Sequence, residues 1–423
     1  EWMPYCDATY KCSVRFHNFH KKGDTPWQYP FGPPRGDLYQ PAQWWYYQKK
    51  YGWNNAKFAE DYSYAAACAT QNKLPLTNDY FDLERYSGFH FDAARFGEWL
   101  RDNYALPRGV KRIVRKINPK RLPKADLYFD CTGFKSLLND SPWHDMSDIL
   151  PNNSAVVTRF AYNNKETQMK AVTDCVALDN GWCWNVPTWT RIGSGYVYCD
   201  KFCSDQEAID EFRDYLAENV ESDVGAYSDK MFRVIKWTTG RREKMWNGNV
   251  ISIGLSAGFI EPLESNGILS IHNFLLMFLR VMDGRRVITE TMRNTFNNNC
   301  NGSFDEFASF VAAHFALTQR NDTPYWQHIC DKHYPDSHAM FRFQRSWGAP
   351  SNTYDSVFNW LDLSSEGMLY VQAGQGWNPF SDVVYNEMSY YPGEIAEVQD
   401  HSWKGIDKLQ CPYDYYKDTL YAS

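Results

Sequence analysis

The sequence has neither an apolar run long enough to cross a bilayer nor an excess of positive charge. Among its 423 residues, 44 are Lys or Arg and 51 are Asp or Glu, which gives a formal net charge of −7. A membrane-spanning helix needs about 20 mostly apolar residues, and non-specific nucleic-acid binding needs a basic field. We therefore expect neither a membrane nor a nucleic acid among its partners.

Paired metal-binding cysteines are missing as well. The 11 cysteines include no CxxC pair, and "CDKFC" at 199–203 has a longer spacing with no histidine beside it. The first residues, EWMPYCDATYK, lack the basic start and the apolar core of a signal peptide. We expect no metal site, reduced cysteines that pack mostly as small apolar groups, and a cytoplasmic location.

The glycine-rich turn that normally opens a dinucleotide-binding domain is also missing. No GxGxxG occurs, and "GSG" at 193–195 is not followed by the third glycine. In that turn the glycines let the backbone approach the pyrophosphate. The sequence thus lacks one expected part of such a domain.

Among the segments that are present, strand and helix patterns alternate. Side-chain alternation indicates a strand at 11–19, whereas Pro and Gly indicate an aromatic loop at 24–36. Residues 40–73 have a helical pattern, and residues 89–105 begin as a strand and continue as an amphipathic helix. The nearly continuous apolar run within 125–134 is typical of a buried parallel strand.

The segment 249–282 carries the most information. It predicts a strand, the loop "SAGFIEPLESNG" and a helix from about Ile268 to Met282. Free N–H groups at a helix start favour an anionic or polar ligand, although an ordinary turn between strand and helix has the same pattern. Together these patterns predict an α/β (α+β) fold, with one domain at 1–295 and a mostly helical, aromatic-rich substrate subdomain at 296–423.

Two tryptophans recur at alternate positions in "GWCWNVP" (181–187). Alternate side chains of a strand point to the same face, so Trp182 and Trp184 are expected on one face, with Pro187 at the end of the strand. Two indoles placed in this way can separate a cofactor from a substrate, or they can form an ordinary core pair.

Taken in order, these motifs resemble those of the flavin-dependent tryptophan halogenase family. "WCWNVP" is similar to the family's WxWxIP signature, "ADLYFDCTGF" to its second flavin-domain motif, and "GNVISIGLSAGFIEPLESNGI" to its GxxAGFxEPLESTG segment. "ATYKCSVRFHNF" resembles the strand with its essential lysine, "YPFG" an aromatic substrate loop, and "HFALTQRNDTPYW" a C-terminal signature. The resemblance spans residues from about 1 to 330. It implies a flavin monooxygenase-like FAD/NAD(P)-binding domain whose N-terminal strand and glycine loop are absent from this sequence.

The resemblance implies an enzyme that uses FADH2, O2 and a halide to make hypohalous acid at the flavin. The acid would halogenate a small electron-rich aromatic substrate of the indole, phenol or pyrrole type. A separate flavin reductase would supply the FADH2, and a homo-oligomer is compatible with the resemblance. The choice among chloride, bromide and iodide stays open.

The resemblance also assigns the chemical roles. Lys11 would hold and polarise the hypohalous acid, Glu264 would accept the proton lost from the ring, and Ser265 would position them. The halide would lie at the backbone of Asn266 and Gly267, where Asn266 replaces the usual threonine of the family.

Further residues are assigned to the cofactor and the substrate. Trp182, Trp184 and Pro187 would separate flavin from substrate, and Tyr29 and Phe31 would stack on the substrate ring. The aromatic residues that sandwich free tryptophan in the family are not recognisable, which favours a different aromatic substrate. The implied flavin-binding residues are Gly133, Phe134, Gly254, Gly258, Phe259, Pro262 and Leu263.

Two other functions stay open at this point. A flavin monooxygenase or epoxidase of the same fold would let its substrate meet the flavin directly, and the paired indoles count against that function. A catalytically silent flavin-fold protein would bind an aromatic ligand or a partner. The missing glycine loop favours this second alternative.

Overall fold

The computed structural model describes residues 1–33, 58–79, 81–220, 228–285, 287–331, 370–371, 373–376 and 404–422. The strands are β1 (Thr9–Lys11), β2 (Ser13–His17), β3 (Trp27–Pro30), β4 (Gly88–His90), β5 (Tyr128–Asp130), β6 (Trp143–Asp145), β7 (Ser154–Phe160), β8 (Val172–Ala177), β9 (Gly181–Pro187), β10 (Ile192–Tyr198), β11 (Arg233–Lys236), β12 (Gly240–Arg242), β13 (Trp246–Asn247), β14 (Val250–Ser252) and β15 (Gly258–Phe259). The α-helices are α1 (Trp2–Tyr5), α2 (Phe58–Tyr62), α3 (Tyr64–Thr70), α4 (Leu83–Tyr86), α5 (Ala93–Trp99), α6 (Lys165–Gln168), α7 (Asp205–Asn219), α8 (Asn266–Met282), α9 (Glu290–Ala316), α10 (Pro324–Asp331) and α11 (Pro412–Asp418).

A seven-stranded sheet with the order β11-β7-β10-β9-β8-β2-β3 forms the central layer. Its neighbouring strands are antiparallel except for β2 and β8, which are parallel. Side chains alternate between the two faces of each strand, and both faces of this sheet are buried. Trp182 belongs to one core with residues of α8, α9 and α10, whereas Cys183 belongs to another core with residues of α7.

A smaller sheet combines β13, β14 and β5, and its β5–β14 pair is parallel, as predicted for residues 125–134. The predicted burial of that segment is wrong at Phe129, whose side chain is 40% exposed. Among the described residues β5 is an edge strand of this sheet. One side of the strand therefore lacks the neighbour that would cover it.

The N-terminal predictions are confirmed in part. The strand predicted at 11–19 is interrupted at Cys12, so that β1 pairs with β4 whereas β2 pairs with β3 and β8. The loop predicted at 24–36 is wrong over Trp27–Pro30, which form β3. An edge strand tolerates proline at its end, and β3 lies at the edge of the large sheet.

The helical predictions hold where they are described. Of the predicted range 40–73, residues 58–70 contain α2 and α3, and residues 40–57 lie outside the described residues. Residues 88–99 contain β4 and α5, and a short π-helix follows at Leu100–Ala105. Helix α8 begins at Asn266, two residues before the predicted start.

The proposed division at residue 295 falls inside α9. One core contains Trp182 from the large sheet together with Phe296 and Phe310 from this helix. The described residues after 295 are helical, as predicted. The two-domain division itself stays a prediction.

The C-terminal helix α11 packs beside β1. The backbone N–H of Tyr10 donates to Oη of Tyr416 at 2.8 Å, and the two rings stack with centroids 6.1 Å apart. Tyr416 is fully buried. A residue 406 positions downstream therefore supports the strand that carries Lys11.

All 11 cysteines are described and none forms a disulfide bond, and eight of them are buried, which confirms that they pack mostly as small apolar groups. Across the described ranges, no helix is long and apolar enough to span a membrane. The same part of the chain holds no group of three or more potential metal ligands.

Candidate active site

Lys11, the last residue of β1, points into the protein. The residue is 4% exposed, and its Nζ donates to Oγ of Ser265 at 2.8 Å. Burial lowers the pKa of Lys11, and the negative charge of Glu264 partly opposes that shift. The structure thus brings together two predicted residues that are 254 positions apart.

Ser265 stands at the start of α8 in a left-handed conformation, with φ at 59°. Few residues other than glycine adopt this conformation. The serine side chain makes no hydrogen bond to the helix start, so its hydroxyl is available to Lys11. The first N–H groups of the helix, at Asn266 and Gly267, have no serine cap, which leaves this end suited to an anion.

Glu264 is buried beside this pair. Its side chain is 2% exposed, and its Oε1 lies 2.8 Å from Nε2 of His314 in α9, whose side chain is fully buried. The contact falls outside hydrogen-bond geometry, and neither atom has another partner among the described residues. Sequence analysis missed His314. The signal available was a polar ring among the apolar residues of "FVAAHFA".

Of the two predicted substrate aromatics, Phe31 lies next to Lys11 and Tyr29 contacts Phe31. The Nζ atom of Lys11 is 5.4 Å from the ring centroid of Phe31, and Tyr29 meets Phe31 edge to face at 6.0 Å. Tyr370 stacks on Tyr29 at 6.1 Å. An aromatic surface therefore borders the buried ammonium.

The two tryptophans of β9 lie on one face, as predicted, with ring centroids 5.9 Å apart. Trp182 is fully buried, whereas Trp184 is half-buried. The indole nitrogen of Trp182 donates to Oε2 of Glu261 at 2.7 Å, and Nδ2 of Asn152 donates to the same oxygen at 2.8 Å. Sequence analysis missed Glu261, which is 2% exposed.

Pro187 is buried at the end of β9, and its carbonyl oxygen accepts from the hydroxyl of Thr9 at 2.7 Å. This bond fixes the end of β9 to β1, the strand that carries Lys11. Pro187 therefore positions the two strands relative to each other.

The residues predicted to hold the flavin cluster at one sheet edge. The parallel strands β5 and β14 end there, and each is followed by a glycine with positive φ, Gly133 at 73° and Gly254 at 66°. Phe134 meets Phe259 edge to face at 5.4 Å. Nucleotides bind outside the carboxyl ends of parallel strands, and a Cβ added at Gly133 would meet no atom within 4 Å. These residues therefore fit a bound flavin.

The other residues predicted to bind the flavin differ in their solvent exposure and packing. Pro262 is exposed. Leu263 is 1% exposed and packs in the core, so any contact with a cofactor falls to its backbone. A Cβ added at Gly258 would lie 2.6 Å from the ring of Phe304 and 2.8 Å from the carbonyl oxygen of Gly240. Gly258 thus permits close packing of its own loop.

A sheet edge with glycine turns after its parallel strands and a buried lysine bonded to a helix start are the features expected of a flavin-dependent halogenase. The sequence profile of the tryptophan halogenase family matches residues 1–385, and the chain belongs to this family. It is an oxidoreductase whose cofactors are FAD, used as FADH2, and a halide.

Among its relatives is tryptophan 6-halogenase SttH of Streptomyces toxytricini, which is 28% identical over 98% of this chain and 86% of that protein. Tryptophan 6-halogenase ThaL of Streptomyces albogriseolus is 28% identical over 100% of this chain and 87% of that protein. Among solved structures, the apo structure of VirX1 superposes with a TM-score of 0.86 at 29% identity and covers 100% of this chain and 88% of its own. The crystal structure of SttH gives a TM-score of 0.84 at 27% identity and covers 98% of this chain and 86% of its own. These similarities confirm the predicted fold class.

Proposed function

We propose that this halogenase transfers halogen from hypohalous acid to an electron-rich aromatic ring held beside Lys11. The observation that carries the proposal is the buried Nζ of Lys11, which lies 2.8 Å from Ser265 Oγ and 5.4 Å from the ring of Phe31. One place therefore offers a hydrogen-bond donor for the oxidant and an aromatic face for the substrate.

Lys11 holds the oxidant. An ammonium has three N–H donors, and one of them is used by Ser265. The remaining donors can bind and polarise the oxygen of hypohalous acid. Because burial lowers the pKa of Lys11, its proton is more readily given up than that of a solvated lysine.

Glu264 acts as the base. In the transfer, a carbon–halogen bond forms as the oxygen–halogen bond breaks, and the ring then loses its C–H proton. The carboxylate of Glu264 takes that proton, and the oxygen of the acid leaves as water after it gains a proton from Lys11. The balance is hypohalous acid plus arene giving haloarene plus water.

Other residues of the chain would hold the cofactor and the halide. When bound, reduced flavin with O2 and halide supplies the hypohalous acid. Gly133, Phe134, Gly254 and Phe259 would hold the flavin, with Gly258 and the backbone around Pro262 and Leu263 shaping its loop. The halide would lie at the N–H groups of Asn266 and Gly267. A separate flavin reductase would deliver the FADH2, and cysteines that form no disulfide support a reducing, cytoplasmic location.

Substrate and flavin are kept apart at β9. Trp184 is the accessible member of the pair, and Trp182 and Pro187 hold the strand in place. This separation favours halogenation over direct oxygen transfer to the substrate. The substrate would be an indole, phenol or pyrrole.

The test combines full-length protein, FAD, a flavin reductase, a mixture of chloride, bromide and iodide, and a panel of indoles, phenols and pyrroles. Mass spectrometry reads halogen mass shifts, and the controls are Lys11→Ala and hydrogen peroxide with halide but no enzyme. A halogenated product that depends on Lys11 supports the proposal and ranks the halides. An oxygen-added product would instead make the chain a monooxygenase, and failure to bind FAD would favour the silent binding protein.

A further inference from the structure

We propose that His314 is a positioning residue for Glu264, and that a proton on Nε2 holds the carboxylate turned away from Lys11. The inference rests on the proposed role of Glu264 as the base. It assigns a function to a side chain of α9 that the mechanism above does not use.

The tautomer of His314 follows from its helix. Nδ1 lies 3.0 Å from the carbonyl oxygen of Phe310, one turn earlier in α9. A carbonyl oxygen only accepts hydrogen bonds, so Nδ1 carries a hydrogen. Nε2, the other ring nitrogen, therefore faces Glu264 either with a proton of its own or with a bare lone pair.

A bare lone pair does not fit the contact. At 2.8 Å it would oppose an oxygen of a carboxylate in a buried site, and neither atom has another partner among the described residues. One proton held by the pair, either as imidazolium with carboxylate or as neutral imidazole with carboxylic acid, would remove that repulsion. This proton is in addition to the one on Nδ1.

The His314 ring lies among aromatic side chains. The His314 ring stacks with Trp27 at 5.9 Å and an angle of 24°, and it also contacts Phe16 at 5.0 Å. Faces of aromatic rings attract a cation.

The position of Glu264 shows what the contact achieves. Lys11 donates to Ser265, and no ion pair within 4 Å joins Lys11 to Glu264 in the described part of the chain. A carboxylate released by His314 could turn towards the ammonium and occupy the donors that bind the oxidant. His314 thereby keeps the base and the oxidant-binding group as separate functions.

The titratable groups around Glu264 come from three other elements. They are Lys11 of β1, Cys175 of β8 and His314 of α9. Burial raises the pKa of the Cys175 thiol well above its usual value, which keeps it neutral. A change in the pH profile on mutation of His314 therefore reports on Glu264 and Lys11.

Two variants test the proposal. His314→Phe keeps a ring of similar size but removes the proton, and His314→Gln offers a neutral amide donor that does not titrate. His328→Gln, on α10, is the control for a histidine replacement elsewhere. Each variant is assayed for kcat, KM for the aromatic substrate and FAD binding across pH, with a thermal melt to show folding.

We expect His314→Phe to lower kcat by about 10²-fold, with little change in KM or FAD binding. We expect His314→Gln to restore most of the rate and to move the acid limb of the kcat profile, because its amide donates a hydrogen bond but cannot take up a proton. A purely structural histidine would not move that limb. A wild-type kcat and pH profile in both variants would overturn the proposal.

Glu264→Gln, assayed in parallel, separates this inference from the proposed function. An unchanged rate in Glu264→Gln would remove Glu264 as the base. A slow Glu264→Gln beside wild-type His314 variants would leave the base assignment standing and would overturn the role of His314 alone. If His314→Phe fails to fold, the pH profile of His314→Gln decides.

Discussion

The indole nitrogen of Trp182 donates a hydrogen bond to Oε2 of Glu261, 2.7 Å away and 79 positions later in the chain. This bond joins the strand "WCWNVP" to the loop "EPLESNG", which leads into α8. Asn152 donates to the same oxygen. Trp182 therefore holds the loop that carries Glu264 and Ser265, whereas Trp184 is the more accessible indole of the pair.

Removal of that bond is expected to destabilise the protein. Trp182→Phe leaves a buried carboxylate with one donor fewer, and a hydrogen bond to a charged group contributes about 2 kcal/mol. We expect the free energy of unfolding, measured by urea denaturation, to fall by at least that amount. Trp184→Phe is the matched control and should cost less, and an equal loss in both would argue against the role of the Glu261 bond.

Lys11→Ala is expected to abolish halogenated product while FAD binding persists, because the proposed flavin-binding edge of β5 and β14 belongs to a different sheet from β1. Product is measured by mass spectrometry and FAD binding by absorbance. Lys11→Met keeps the length of the side chain without its charge, and it should behave in the same way. Product formation at the wild-type rate in either variant would remove Lys11 from its role.

Glu264→Gln is expected to slow turnover by about 10²- to 10⁴-fold, the usual contribution of a positioned base. Gln is nearly the same size but cannot accept the proton lost from the ring. Glu290→Gln, at the exposed start of α9, controls for the loss of a carboxylate elsewhere. Equal rates in the two variants would place the base on another residue.

Asp174 provides a test of stability against pH. It lies opposite Arg15 in the β2–β8 register and accepts from Nε of Arg15 at 2.6 Å and from Nε2 of His17 at 2.8 Å. Burial alone would raise the pKa of Asp174, but Arg15 and His17 together hold it well below its usual range.

A carboxyl whose pKa is depressed by folding stabilises the protein above its unfolded pKa of about 4 and loses that contribution as the pH falls. We expect Asp174→Asn to cost about 3 kcal/mol at pH 7. The difference from wild type should shrink steadily below about pH 4. Chemical denaturation at several pH values measures it, and a gap that does not depend on pH would exclude this electrostatic origin.

Features encoded in short segments were predictable. The strand, loop and helix of 249–282 follow from an apolar run, small residues and a helical repeat, and the shared face of Trp182 and Trp184 follows from strand geometry alone. The order of the motifs was sufficient to indicate the family. Each of these predictions depends on neighbours in sequence.

Features that depend on distant contacts were not predictable. Glu261 resembled any acidic loop residue until Trp182 and Asn152 were seen to share its oxygen. His314 resembled a core histidine until α9 placed it against Glu264. Strand β3 was not predicted because it contains a proline, which a strand tolerates only at a position such as a sheet edge.

The contact between Tyr10 and Tyr416 bears on how the protein is made. A ribosome must add 406 more residues after Tyr10 before the acceptor of its N–H exists. Contacts between such distant positions form late and slowly. The strand that carries Lys11 therefore lacks this support until Tyr416 has been synthesised and α11 has packed beside β1.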